Sequence, residues 1–370
     1  MTTLADKFET REGIYLLNHS VGLPPADARQ HANEAFFEPW GKADGEAWTA
    51  WLAAIDTFRG ALGRLLNTSA SNICPQSNVS SALTKIIYSL PREAKRKTLL
   101  LSEQDFPTVG FVASRAEAFG YRLKFIPAAH DVLDVAVWKS HMTDDVCALL
   151  LTQVYSNTSE QLPLQELLSL ARQEGVISIV DAAQAVGIVP SDLSQLAPDF
   201  FLGSCVKWLC GGPGAAFLWA NPEIVQRCLP TDVGWFSHAD PMAFDIRQFR
   251  YADGVLRFWG GTPSVLPFAV AAHSIGLLAD IGIERIRAHN ETLTQQLLAA
   301  VGFEHCVTPI NPAERGGTLV FHFGERQERV LGELTRAGVR YDQRASGLRL
   351  SPHVYNSREE IDTVAQCLRG

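Results

Sequence analysis

The sequence predicts an α/β protein: a mostly parallel central sheet with helices on both faces, plus a smaller C-terminal α+β unit. Three observations carry this. The runs "TLLLSE" (98–103), "VCALLLTQV" (146–154) and "VISIVDAA" (176–183) are nearly continuous in apolar side chains, as strands covered on both faces must be. Helical patterns alternate with them, which is the signature of βαβ crossovers. After "GGTPS" (260–264) the texture changes to two long helical patterns followed by short strands.

In chain order, the segment from Glu46 to Leu66 places Trp48, Trp51, Leu52, Ile55, Phe58, Leu62 and Leu65 at helical spacing. Pro107 begins a second helix, with Phe111, Val112, Arg115 and Phe119 following. Pro163 opens a third, "PLQELLSLARQEG", which stops at Gly175. "DFFLGSC" (199–205) and "GAAFLWA" (214–220) read as two more strands. Two helical patterns then run from Ser264 to Asp280 and from Ile283 to Ala300. "TLVFHF", a helix near 325–337, "LRLSPH" and a last helix from Ser357 complete the chain. The expected organisation is an N-terminal segment near the active site (1–24), a large domain (25–260) and a small domain (261–370) of roughly a hundred residues, an ordinary domain size.

The 370 residues are 46% hydrophobic and 19% charged, enough apolar material for a sizeable core. Net charge is −8 with no block of Lys or Arg, so nucleic acid and anionic membranes are not expected partners. The N-terminus "MTTLADKFETREGIY" lacks the apolar core of a signal peptide. No apolar run reaches the length of about 18 residues that a membrane span needs. The seven cysteines form no CxxC pair, which reads as reduced thiols of a cytoplasmic protein rather than a disulfide framework or a metal site.

Chemistry is expected where strands stop, because ligands collect beyond the carboxyl ends of parallel strands. Asp181 ends "VISIV", and Lys207 follows "DFFLGSC" just ahead of a Gly-Gly-Pro-Gly turn. Either residue alone reads as a helix cap or a snorkelling lysine. Together, at the ends of neighbouring strands, they read as two groups facing one ligand. A lysine among Cys, Val, Trp and Leu loses hydration, and its pKa falls. "CPQSNVSSALTKIIYSL" (74–90) is polar and then helical, so its first turn suits an anion.

"VDAAQAVG", followed at this distance by "GSCVKWLCGGPG", resembles fold-type I pyridoxal-phosphate (PLP) enzymes of the class V aminotransferase superfamily, closest in pattern to kynureninase-like proteins. The resemblance extends from "YLLNHSVGLPP" (15–25) to "LRLSPHVYNSREEID" (348–362). It implies that Lys207 forms a Schiff base with PLP and moves protons at the substrate α-carbon. It implies that Asp181 pairs with the pyridine nitrogen and keeps the ring electron-withdrawing. Gln184 matches a position that bonds the cofactor's phenolic oxygen. Val79, Ser80 and Ser204 match phosphate contacts, Phe106 a ring-stacking aromatic, and Trp235 a tryptophan near the phosphate. Gly261 and Thr262, in "RFWGGTP", match residues that reach the phosphate of a neighbouring subunit, which implies a homodimer. Arg349 matches the arginine that holds the substrate α-carboxylate, and Asn18 and His19 match a segment closing over the substrate.

The pattern also departs from these relatives. Val206 stands where desulfurases carry histidine and kynureninases tyrosine, and Val109 where kynureninases carry aspartate. Asn157 falls at the kynureninase catalytic tyrosine, with Tyr155 two residues away, and no cysteine-bearing loop precedes "LRLSPH". The expected function is therefore a PLP enzyme acting on an L-amino acid, with side-chain cleavage by a kynureninase-like hydrolase or lyase as the leading reaction. C–S lyase or desulfurase-like chemistry, transamination and epimerisation are alternatives within the superfamily. A non-catalytic PLP-fold scaffold is the alternative of another class. A nucleotide-binding α/β protein ranks last, because no GxGxxG follows a strand.

Overall fold

The computed structural model describes residues 4–9, 11–42, 45–91 and 95–370. Residues 1–3 and 10 of the expected N-terminal segment, and 43–44 and 92–94 of the expected large domain, lie outside the described residues.

The central sheet has seven strands: β1 (Ile73–Gln76), β2 (Thr98–Ser102), β3 (Arg122–Ile126), β4 (Val146–Thr152), β5 (Ile177–Asp181), β6 (Phe200–Ser204) and β7 (Ala216–Ala220). Their spatial order is β1-β7-β6-β5-β4-β2-β3. The run β3-β2-β4-β5-β6 is parallel, β7 is antiparallel to β6, and β1 is antiparallel to β7. The switch at β7 has a local cause. The connection from Ser204 to Ala216 contains no helix, and a parallel return needs a crossover long enough to clear the sheet. β1 and β3 are edge strands that the apolar pattern does not reveal. β1 is only four residues long and carries Pro75, and β3 carries Arg122 and Lys124. Proline and cations belong at sheet edges.

Both faces of the sheet are covered, as the continuous apolar runs require. On one face Leu100, Leu149, Leu151, Val180 and Phe201 pack under α1 (Trp48–Leu65), α4 (Leu164–Glu174) and α5 (Leu266–Ile281). On the other, Leu99, Leu101, Leu150, Ile179 and Leu202 pack under α2 (Val79–Ser89) and α3 (Pro107–Ala116). In α3 the buried positions are Val109, Ala113 and Ala116, while Phe111 is exposed.

A third core lies at the C-terminal end. There β8 (Leu319–Phe321), β9 (Asp342–Arg344) and β10 (Gly347–Leu350) form an antiparallel sheet of order β9-β10-β8. It packs against α6 (Ile283–Val301), α7 (Gln327–Arg336) and α8 (Arg358–Arg369). Ile14–Tyr15 pairs in parallel with Val339–Arg340, and Leu16 joins this third core. Leu23 sits instead in the first core, so the segment between them bridges the two units.

Candidate active site

The carboxyl ends of β4, β5 and β6 and the N-termini of α2 and α3 enclose a cavity of about 230 Å³. Val79, Ser80, Phe106, Asp181, Gln184, Ser204 and Lys207 all line it. A wider cleft of about 660 Å³ beside α1 lies away from these residues. Its lining arginine, Arg64, is already paired with Asp280 at 2.8 Å.

Asp181 is the last residue of β5, and its Oδ1 accepts the Ala183 N–H at 2.9 Å. Burial raises its pKa, against the pull of that N–H and of Lys207. Lys207 lies three residues past β6 in a turn closed by the Cys210 N–H on the Lys207 carbonyl at 3.0 Å. The Gly22 N–H holds the Val206 carbonyl at 2.9 Å. A Cβ on Gly22 would stand 2.3 Å from the Lys207 carbonyl oxygen, so only glycine fits there. Beneath the lysine, buried Trp208 donates from Nε1 to Gln184 Oε1 at 3.1 Å, and its carbonyl meets His353 Nε2 at 3.0 Å. Burial lowers the Lys207 pKa to about 8. The Asp181 charge opposes the drop, and Arg349 and Arg344 add to it.

The end of the cavity formed by α2 and α3 follows from local rules. Asn78 caps α2 by accepting the Ser81 N–H at 2.8 Å, and Val79 and Ser80 form the first turn, where N–H groups lack helical partners. Ser80 Oγ lies 3.2 Å from Thr108 Oγ1 and links α2 to α3. Pro107 keeps Phe106 extended at ψ 140°, and the ring faces the cavity with Lys207 Nζ 5.7 Å from its centroid. Gln184 Nε2 donates to the His19 carbonyl at 3.0 Å, which leaves one amide hydrogen for the cavity.

Along and beyond β4, Thr152, Val154 and Ser156 line the cavity. Tyr155 is outside that wall, buried at 1% exposure. Its hydroxyl, Asp105 Oδ1 and Thr152 Oγ1 are buried polar atoms with no hydrogen bond among the described residues. Thr152 stands near enough to lower the Asp105 pKa without reaching hydrogen-bond geometry. Burial wins, with the Asp181 charge adding to it, and pushes Asp105 up to about 7.

Arg349, Asn18 and His19 form an adjoining network behind the wall. Arg349 is 1% exposed and donates from Nη1 to the carbonyl of cavity-lining Ser156 at 2.8 Å. Asn18 donates to the Ser351 carbonyl at 2.7 Å and accepts from the Tyr355 hydroxyl. His19 Nδ1 lies 2.5 Å from Ser351 Oγ, and burial holds its pKa down at about 3. Trp235, Gly261 and Thr262 are not in the cavity wall. They form their own corner, where Trp235 Nε1 donates to Thr262 Oγ1 at 3.2 Å. Lys85 anchors this corner to α2, donating to the carbonyls of Phe258 (3.0 Å) and Trp259 (2.7 Å).

Sequence reading missed Asp105, Thr152, Lys85 and Asp342. A faint signal existed for two of them. Asp105 immediately precedes the Phe-Pro motif, and Lys85 interrupts the apolar pattern of α2.

The model of the family described as Aminotransferase class-V matches residues 45–364. The chain belongs to this family and is a PLP-dependent enzyme. It is 28% identical over 340 residues to a kynureninase of Deinococcus radiodurans, covering 88% of this chain and 81% of that protein. It is 29% identical over 332 residues to the isopenicillin N epimerase of Streptomyces clavuligerus, covering 84% and 82%. A solved structure of C-DES, with glycine covalently linked to its PLP cofactor, matches at TM-score 0.87 and 21% identity over 100% of this chain and 99% of that one. That likeness is one of fold: a mostly parallel sheet of PLP fold type I.

The residues present fit the cofactor. A buried carboxylate at one end suits a protonated ring nitrogen, and an open helix terminus at the other suits a phosphate. An aromatic face and a desolvated amine line the same cavity.

Proposed function

We propose that the chain acts on an L-amino acid through Lys207 and cleaves the substrate's side chain, as a kynureninase-like hydrolase or lyase. The observation that carries this is the convergence of Lys207, Asp181 and the Arg349-bound Ser156 on one cavity. Asp181 would hold the ring nitrogen, and Val79, Ser80 and Ser204 the phosphate. Phe106 would cover the ring, and Gln184 would offer its second amide hydrogen to the phenolic oxygen. When bound, PLP supplies an electron sink for the carbanion at the substrate α-carbon. Arg349 orients the α-carboxylate, with Asn18 and His19 bracing it through Ser351. Lys207, neutral in part near neutrality because burial lowers its pKa to about 8, takes the α-proton and returns it.

One observation favours a second reading, β-elimination of the kind a C–S lyase performs. Among the described residues, the cavity wall carries neither tyrosine nor cysteine, and Tyr155 is buried outside it. Cleavage of a carbon–carbon bond needs an acid for the departing carbon, whereas a thiolate leaves without one. C-DES is itself described as a cystine C–S lyase.

The enzyme is proposed to work as a homodimer in which Gly261 and Thr262, the latter held by Trp235, serve the neighbouring subunit's phosphate. Exposed Met242, Phe244 and Ile246, close by in the chain, supply apolar surface for such a contact.

The test is a product assay on yellow, PLP-loaded protein. Kynurenine giving anthranilate supports acyl cleavage, and cysteine giving pyruvate, ammonia and sulfide, or cystine giving pyruvate, ammonia and cysteine persulfide, supports elimination. Keto acid or racemised substrate alone would overturn both. Lys207→Ala should abolish product and the visible absorbance of lysine-bound cofactor.

A further inference from the structure

Resting on the reading of Arg349 as the carboxylate site, we propose that Asp342 is a built-in competitor that occupies Arg349 until a substrate carboxylate displaces it onto Arg344. Asp342 on β9 is the direct cross-strand partner of Arg349 on β10. Arg349 donates from Nε to Asp342 Oδ2 at 3.0 Å, and Nη2 bonds the same oxygen. Its Nη1 is taken by the Ser156 carbonyl. The arginine therefore already holds an anion.

That anion is poorly seated. Both bonds fall on one oxygen, whereas a free carboxylate can give one oxygen to each N–H of the fork. The Asp342 side chain is 33% exposed and the arginine's only 1%, so the aspartate has room to move and the arginine has not.

A receiver stands next to it. Arg344 Nε lies 3.6 Å from Asp342 Oδ2, on a side chain 40% exposed and otherwise bonded only to Asn157 Oδ1 at 3.3 Å among the described contacts. The groups facing Asp342 are Arg349, Arg344 and His19, whose Nε2 is 3.4 Å away. His19 is neutral, because burial holds its pKa at about 3. Two guanidinium groups thus share one carboxylate, and the cluster is short by one negative charge. A substrate carboxylate on Arg349, with Asp342 moved to Arg344, balances it. An amine without a carboxylate has no need of that exchange, so Asp342 weakens the binding of amino acids and leaves that of simple amines unchanged.

The experiment titrates the PLP-loaded protein with L-alanine and reads the cofactor's visible absorbance as a binding signal. Asp342→Asn should lower the apparent Kd about five- to tenfold, because a competing anion is removed. Arg344→Met should raise it, and should have no effect in the Asp342→Asn background. An unchanged or raised Kd in Asp342→Asn overturns the proposal. So does an Arg344→Met effect that persists in the double variant, and, if Asp342→Asn folds poorly, an Arg344→Met single variant that binds L-alanine as tightly as wild type overturns it alone. Arg349→Met probes the underlying reading separately. If it binds L-alanine as well as wild type does, the carboxylate site lies elsewhere, whatever Asp342 does.

Discussion

Lys207 and Asp105 are both titratable groups that burial moves toward neutral pH, from opposite sides. For Lys207 the consequence is reactivity. Only the neutral amine attacks an aldehyde, so capture of PLP by the apo-protein should rise about tenfold per pH unit and level off near about 8. Stopped-flow absorbance measures this, and a rate still climbing above pH 10 would contradict the burial. For Asp105 the consequence is stability. Its folded pKa of about 7 exceeds the ordinary 3.8, so the folded state holds a proton that the unfolded chain releases. Stability from this group is therefore greatest below about pH 4 and falls as pH climbs to about 7. Asp105→Asn mimics the protonated form and keeps an acceptor for the Ser102 N–H. Relative to wild type, it should gain on the order of 2–3 kcal/mol between pH 5 and pH 8 in urea melts.

Among the elements, α2 and the turn after β5 position the site. Asn78 is the cap that ends α2 in open N–H groups at the cavity. Asn78→Ala should cost about 1 kcal/mol in a denaturant melt and weaken PLP retention in dialysis. Gly187 adopts φ +99°, and an added Cβ would meet the Trp208 carbonyl carbon at 2.6 Å. Gly187→Ala should cost on the order of 3 kcal/mol and shift the cofactor's absorbance, because Trp208 adjoins Lys207. A variant with wild-type melting and spectrum would show that this turn does not hold the lysine.

Across the whole molecule, the N-terminal segment ties the small sheet to the large one. Leu17 bridges to Ser351, Gly22 binds Val206, and Leu23 enters the large core. The Arg349 network and the Lys207 turn are therefore joined by residues 17–23 rather than by the cavity alone. The proposed dimer belongs at this scale. Ile246 is 99% exposed, near the Trp235–Thr262 corner in the chain. Ile246→Asp should shift the protein toward monomer in sedimentation velocity and lower PLP retention at micromolar concentration. A wild-type protein that sediments as a monomer would remove the partner role of Gly261 and Thr262.

The sequence by itself determined the parallel sheet, because strands buried on both faces must be apolar throughout, and Lys207 and Asp181, because adjacent parallel strands end at one edge. It left β1 and β3 hidden, since edge strands carry no such pattern. Tertiary structure alone decided which side of β4 each residue after it would face, and so placed Ser156 in the cavity and Tyr155 outside it. It alone set Asp342 against Arg349 and buried Asp105 beside Asp181. Charge state and pairing depend on distance and desolvation through space, and neither is written in the order of residues along a chain.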